Sequence, residues 1–94
     1  MQIVWTRQAV INLHQIREFI RLDNPNTAAN VGARIESATL QLIRFPDSGR
    51  PGKVKGTREM VMPTLPYIII YRVKGNEVQI LRILHTKQKW RQPS

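Results

Sequence analysis

Tyr67-Ile68-Ile69-Ile70-Tyr71-Arg72-Val73, then Lys74-Gly75-Asn76-Glu77, then Val78-Gln79-Ile80-Leu81-Arg82-Ile83-Leu84-His85: residues 67–85 decide the fold. Two runs rich in β-branched and aromatic residues flank four residues suited to a hairpin turn. The runs are almost continuously apolar, the mark of central strands covered on at least one face. Upstream, Arg58-Glu59-Met60-Val61-Met62 reads as a third strand, stopped by Pro63. Before it, residues 46–52 hold Pro46, Gly49, Pro51 and Gly52 and read as a loop.

The first half has a different period. Val31, Ile35, Ala38, Leu42 and Phe45 recur at helical spacing. Asn24 suits the N-cap and Pro25 the first helical position, so a helix is expected from Pro25 to Arg44. Ala9, Leu13, Ile16 and Ile20 form an earlier helical stripe, with Phe19 widening it and Thr6 as its cap. Asp23-Asn24-Pro25-Asn26 separates the two helices, so they should pack as an antiparallel hairpin. Ile3-Val4-Trp5 reads as a short strand, paired at the sheet edge or beside the last strand. The expected fold is α+β: a small, twisted, mainly antiparallel sheet covered by an N-terminal α-helical hairpin.

Ninety-four residues make one domain, taken as 1–94 with a short basic tail at 86–94. No internal repeat or low-complexity segment interrupts it. With no cysteine and only His14 and His85, thiolate chemistry and His- or Cys-rich metal sites are excluded. No apolar run approaches the ~20 residues of a membrane helix. The start lacks a signal-peptide layout, so a cytoplasmic protein is expected. Fifteen Lys and Arg stand against six Asp and Glu, a net charge of +9. Residues 1–49 carry five basic against four acidic side chains, whereas residues 50–94 carry ten against two. The second half is where an anionic or acidic partner should dock.

No Gly-rich phosphate loop is present, and none of Ser37, Ser48 and Ser94 has a nucleophile-elbow setting. An acid–base set for RNA cleavage can still be composed, with Glu59 or His85 as base and Arg58 and Arg82 holding phosphate. Arg82 interrupts an apolar strand, so it either pairs with a carboxylate, Glu59 being the candidate, or faces an open groove. A binding reading uses Lys53, Lys55 and Arg58 around the glycine-flanked loop, and Lys87, Lys89 and Arg91 after the last strand. Trp90 among these either stacks on a base or folds back as a core lid. The same clusters suit an acidic protein segment that orders on binding.

Six pieces together resemble the RelE/ParE superfamily of type II toxins: Trp5-Thr6; Asp23-Asn24-Pro25; Gly49-Arg50-Pro51-Gly52; Gly56-Thr57-Arg58-Glu59; the 67–73 strand; and His85-Thr86-Lys87-Gln88-Lys89-Trp90. The resemblance implies a cognate antitoxin whose acidic or amphipathic segment wraps the toxin, giving a hetero-oligomer. It implies no cofactor and no metal. Two activities occur in the superfamily: mRNA cleavage in the ribosomal A site, and poisoning of DNA gyrase without nuclease action. The five positions of the RelE-type nuclease pattern fall, without gaps, on Glu59, Val61, Ile68, Gln88 and Ser94, none of them the required residue. A related nuclease branch uses Glu, Arg and His, which Glu59, Arg58 and His85 imitate, though no tyrosine is expected beside His85. The Gly-Thr-Arg-Glu and C-terminal pieces resemble ParE-type chains more closely. The expectation is therefore a ParE-like gyrase inhibitor that arrests growth and stabilises plasmids. It would have no catalytic residues, and its target would be met by Lys53, Lys55, Arg58, Arg82, His85, Lys87, Lys89, Trp90 and Arg91. The alternative is a ribosome-dependent mRNA interferase using Glu59, Arg58, Arg82 and His85.

Overall fold

The computed structural model describes residues 1–87. Its elements are β1 (Gln2–Trp5), α1 (Arg7–Arg21), α2 (Pro25–Arg44), β2 (Arg50–Pro51), β3 (Arg58–Val61), β4 (Tyr67–Lys74) and β5 (Glu77–His85). They build one five-stranded sheet in the order β1-β5-β4-β3-β2. β1 runs parallel to β5, and every other pairing is antiparallel. The α+β architecture expected from the sequence is the one observed. β1 lies at the edge beside the last strand.

Local chemistry explains the element limits. The Thr6 hydroxyl accepts from Ala9 N at 3.2 Å, taking up one of the orphan donors of the first turn of α1. It also donates to the carbonyls of Ile80 and Leu81 at 2.9 and 3.0 Å, so one side chain caps α1 and ties it to β5. Asn24 caps α2 in the same way, accepting from Thr27 N at 3.1 Å, with Pro25 at the first helical position.

The core lies between the helix pair and one face of the sheet. Ala9, Leu13, Val31, Ile35 and Leu42 meet Tyr67, Ile69, Tyr71, Val78, Ile80 and Ile83. Full burial of each large aliphatic side chain contributes about 1.5–3 kcal/mol. A register shift aids this packing. Ile70 pairs with Arg82 but Tyr71 with Ile80, leaving Leu81 as an extra residue. The shift lets Ile80 and Ile83, three apart, both join the core. It also puts Arg82 in one row with Ile70 and Glu59.

Three expectations are corrected. Residues 46–52 are not all loop, because Arg50–Pro51 forms a two-residue strand on β3. Phe19 does not widen the buried stripe. At ~100° per residue it projects roughly 90° from the stripe's centre, and it is 74% exposed. Phe45 is not a core position either, because α2 ends at Arg44. Its ring lies half out of the surface with the Arg44 guanidinium 5.6 Å from its centroid.

The turn between β3 and β4 is strained. Thr64 has φ of +61°, the left-handed region that β-branched residues avoid. Arg34 of α2 holds the turn, donating to Thr64 Oγ1 at 2.7 Å and to Pro63 O at 3.2 Å. Thr64→Gly should raise stability by about 0.5–1 kcal/mol, relief of the strain outweighing the entropy glycine adds to the unfolded chain. Thr64→Val keeps the strain and loses the bond, so it should lower stability. Urea denaturation checks both, and a Gly variant weaker than wild type would mean the Arg34 bond dominates.

Candidate target-binding surface

The segment preceding β3 is clamped from three directions. The buried Tyr71 hydroxyl donates to Pro46 O at 2.8 Å and accepts from Gly49 N at 2.9 Å. Arg58 donates to Gly49 O at 2.9 Å and Asp47 O at 3.3 Å, and its guanidinium lies 3.5 Å from the Asp47 carboxylate. The Glu59 carboxylate, with a side chain only 9% exposed, takes Arg50 as its partner at 2.9–3.0 Å. Glycine is required at 49, since a Cβ there would sit 2.7 Å from the Tyr71 ring and 2.9 Å from Glu59 O.

This clamp changes the standing of two candidates. Arg58 spends its guanidinium on the loop backbone. Glu59 is paired with Arg50 and not with Arg82, which stands two strands away across Ile70. Arg50 was missed because its exposed cation gives no sequence signal that its partner lies nine residues on.

The composed acid–base set is spread over different rows of the sheet. Glu59 and Arg82 share the row of Ile70, whereas Arg58 shares the row of Tyr71 and His85 that of Tyr67. Arg58 and His85 are thus four residues apart along β4, about 13 Å at the usual strand rise. A different grouping does form. Tyr67, Arg82, His85 and Lys87 line a groove of about 500 Å³ with Asn12 and Phe19 of α1. The His85 and Tyr67 rings meet edge to face at 5.6 Å, so His85 has a tyrosine neighbour in space. His85 Nδ1 accepts from Lys87 N at 3.1 Å. The groove exists because β1 covers only residues 77–80 of β5. Beyond them Asn12 stands in, its Oδ1 accepting from Ile83 N at 3.1 Å.

Burial pushes the Tyr67 phenol above its ordinary 10.0. The folded state then prefers the neutral phenol. Stability is full below the ordinary value and falls as pH rises through the raised one, because the unfolded chain loses its proton first. Tyr67→Phe should flatten this alkaline loss in denaturation midpoints measured across that range. An unchanged pH profile would assign the loss to other groups.

Lys53 and Lys55 are exposed on the loop before β3, and Lys87 is exposed just after β5. Lys89, Trp90 and Arg91 lie outside the described residues. Arg72 and Lys74, exposed at the end of β4, entered the sequence reading only as part of the charge count. Among the described residues no cluster of His, Cys, Asp or Glu could hold a metal, and no helix is long and apolar enough to cross a membrane.

The family model described as "ParE toxin of type II toxin-antitoxin system, parDE" matches residues 3–90. A chain of Sinorhizobium fredii named as a toxin, Y4kP, is 45% identical over 91 residues, spanning 97% of this chain and 94% of that one. The solved chromosomal ParDE system of P. aeruginosa superposes with a TM-score of 0.82 at 33% identity, covering 90% of this chain and 95% of that chain. The RelBE2 toxin–antitoxin complex of Mycobacterium tuberculosis gives 0.62 at 27% identity, with 89% and 95% covered. The chain belongs to the ParE family of type II toxin–antitoxin toxins.

Proposed function

We propose that the chain poisons DNA gyrase in the cytoplasm and is neutralised by a cognate antitoxin bound as a hetero-oligomer. The observation that carries this reading is the match to the ParE family across residues 3–90. Two others support it. The backbone resembles the ParDE toxin more closely than the RelBE2 complex. Arg58 and Glu59 are consumed by structural pairs and take no position opposite His85. Lys53, Lys55, Arg82 and Lys87, together with the 89–91 segment, meet the gyrase–DNA complex in this reading. Arg58 acts as a positioning residue that holds the loop. The purified chain should inhibit gyrase supercoiling or accumulate linear DNA, and leave mRNA intact in a translation extract. Unaffected gyrase would overturn the proposal.

One observation favours a second reading. His85, Tyr67 and Arg82 line a common groove, a set able to move a proton beside a phosphate. Under this reading the chain is a ribosome-dependent mRNA interferase whose His85 and Arg82, not Glu59, carry the chemistry. Codon-specific cleavage that disappears in His85→Ala, with gyrase untouched, would establish it.

A further inference from the structure

In the helical half Arg17 bonds Glu36 at 2.6 Å and Arg21 bonds Glu18 at 2.9 Å. At one end of the sheet, Lys53, Lys55, Arg72 and Lys74 are exposed, and among the described residues none has an ion pair with a carboxylate. Arg58 pairs with Tyr71, so Gly56 and Thr57, which follow Lys53 and Lys55 on the loop, run on beside the end of β4 that carries Arg72 and Lys74. With Val73, Arg58, Pro51 and Asp47 they line one shallow depression there. Arg72 and Lys74 are two apart on β4 and point to the same face, about 7 Å from each other at the usual strand rise.

The backbone under Lys53 and Lys55 and the side chain of Arg72 are held in place. Gly52 N donates to Thr57 O at 2.8 Å and Thr57 N to Val54 O at 3.1 Å, bracketing Lys53 and Lys55 in a hydrogen-bonded loop. Gly52 permits the closure, since a Cβ there would lie 2.3 Å from the Thr57 hydroxyl. Arg72 donates its Nε to Gln79 at 2.6 Å, and Gln79 is itself bonded to Glu77. This leaves the terminal nitrogens of Arg72 for a bidentate acceptor. Holding the groups beforehand lowers the ordering cost of binding.

We infer that this end of the sheet binds the phosphate backbone of duplex DNA directly, through Lys53, Lys55, Arg72 and Lys74. The inference rests on the gyrase reading only in taking the target to carry DNA. Composition selects DNA over an acidic protein. Lysine is depleted in protein interfaces and aromatics enriched there, while the four cations here are three lysines and an arginine, with Glu77 opposite Lys74 and no aromatic among them. The four side chains stand on a loop and a strand, none on a helix that could enter a groove, so recognition is of backbone and independent of sequence.

The test is fluorescence anisotropy of a short labelled duplex against the full chain from about 50 to about 200 mM salt. Four phosphate contacts contribute about −3.6 to the slope of log affinity against log salt, a roughly 10²-fold loss over that range. Lys53→Gln, Lys55→Gln, Arg72→Gln and Lys74→Gln combined should remove that increment. A control with Arg7, Arg17, Arg21 and Arg44 changed to Gln has the same net charge and should keep the slope. A quadruple variant with the wild-type slope, a control that loses as much, or displacement of the duplex by polyglutamate at equal charge would each overturn the inference. Gyrase inhibition by the same preparations separates the readings. Inhibition without duplex binding overturns the inference and spares the proposed function. Duplex binding through these residues without inhibition does the reverse.

Discussion

Tyr71→Ala should cost about 3–5 kcal/mol, and Tyr71→Phe about 1–3 kcal/mol. The ring is fully buried among the core residues of β4, β5 and the helices, so alanine leaves a cavity. Phenylalanine keeps the ring but strands the buried Gly49 N–H and the Pro46 carbonyl, both served by the lost hydroxyl. Gly49→Ala should also destabilise, by pushing its Cβ into the same hydroxyl. Combined with Tyr71→Phe it should cost less than the sum of the two, since part of the clash is removed with the oxygen. Urea denaturation of the cycle reads this directly. A Phe variant as stable as wild type would show that water serves Gly49 in the tyrosine's place.

Ile35→Ala should cost about 2–5 kcal/mol, while Leu40→Ala on the same helix should change stability by no more than about 0.5 kcal/mol. Ile35 is fully buried where α2 meets the sheet, whereas Leu40 is 57% exposed. Chemical denaturation distinguishes them. Similar losses at both positions would mean that Leu40 is packed as well as Ile35, since alanine, the best helix former, costs nothing in propensity. The pair also shows that periodicity, rather than apolar character alone, sorts the side chains of α2. Leu40 lies two positions before the stripe residue Leu42, and a helix turns ~200° in that distance.

What could be read from the sequence was what local chemistry fixes. Asn24 and Pro25 begin α2, and the helix runs to Arg44 as its spacing implies. The β4–β5 hairpin follows from its composition, to within one residue at either end of the turn. What escaped depends on partners distant along the chain. The extra residue Leu81 carries no signal, yet it determines which face Arg82 takes. β2 exists only because β3 offers Arg58 and Glu59 to pair with. The candidate site divided in the same way. The cationic second half was evident from counting. That Arg58 and Glu59 are absorbed by the 46–52 segment, and that Tyr67 meets His85, required the sheet register.

The parallel pairing of β1 with β5 also bears on synthesis. The Thr6 hydroxyl and the Leu81 carbonyl it binds are 75 residues apart. The first strand therefore waits, unzipped, until β5 has left the ribosome, and such long-range closure is slow. A nascent chain lacking β5 has no seam for β1 and only part of the floor beneath the helix pair. Potency should thus arrive abruptly once β5 is made, and products interrupted before it should be harmless to the cell that makes them.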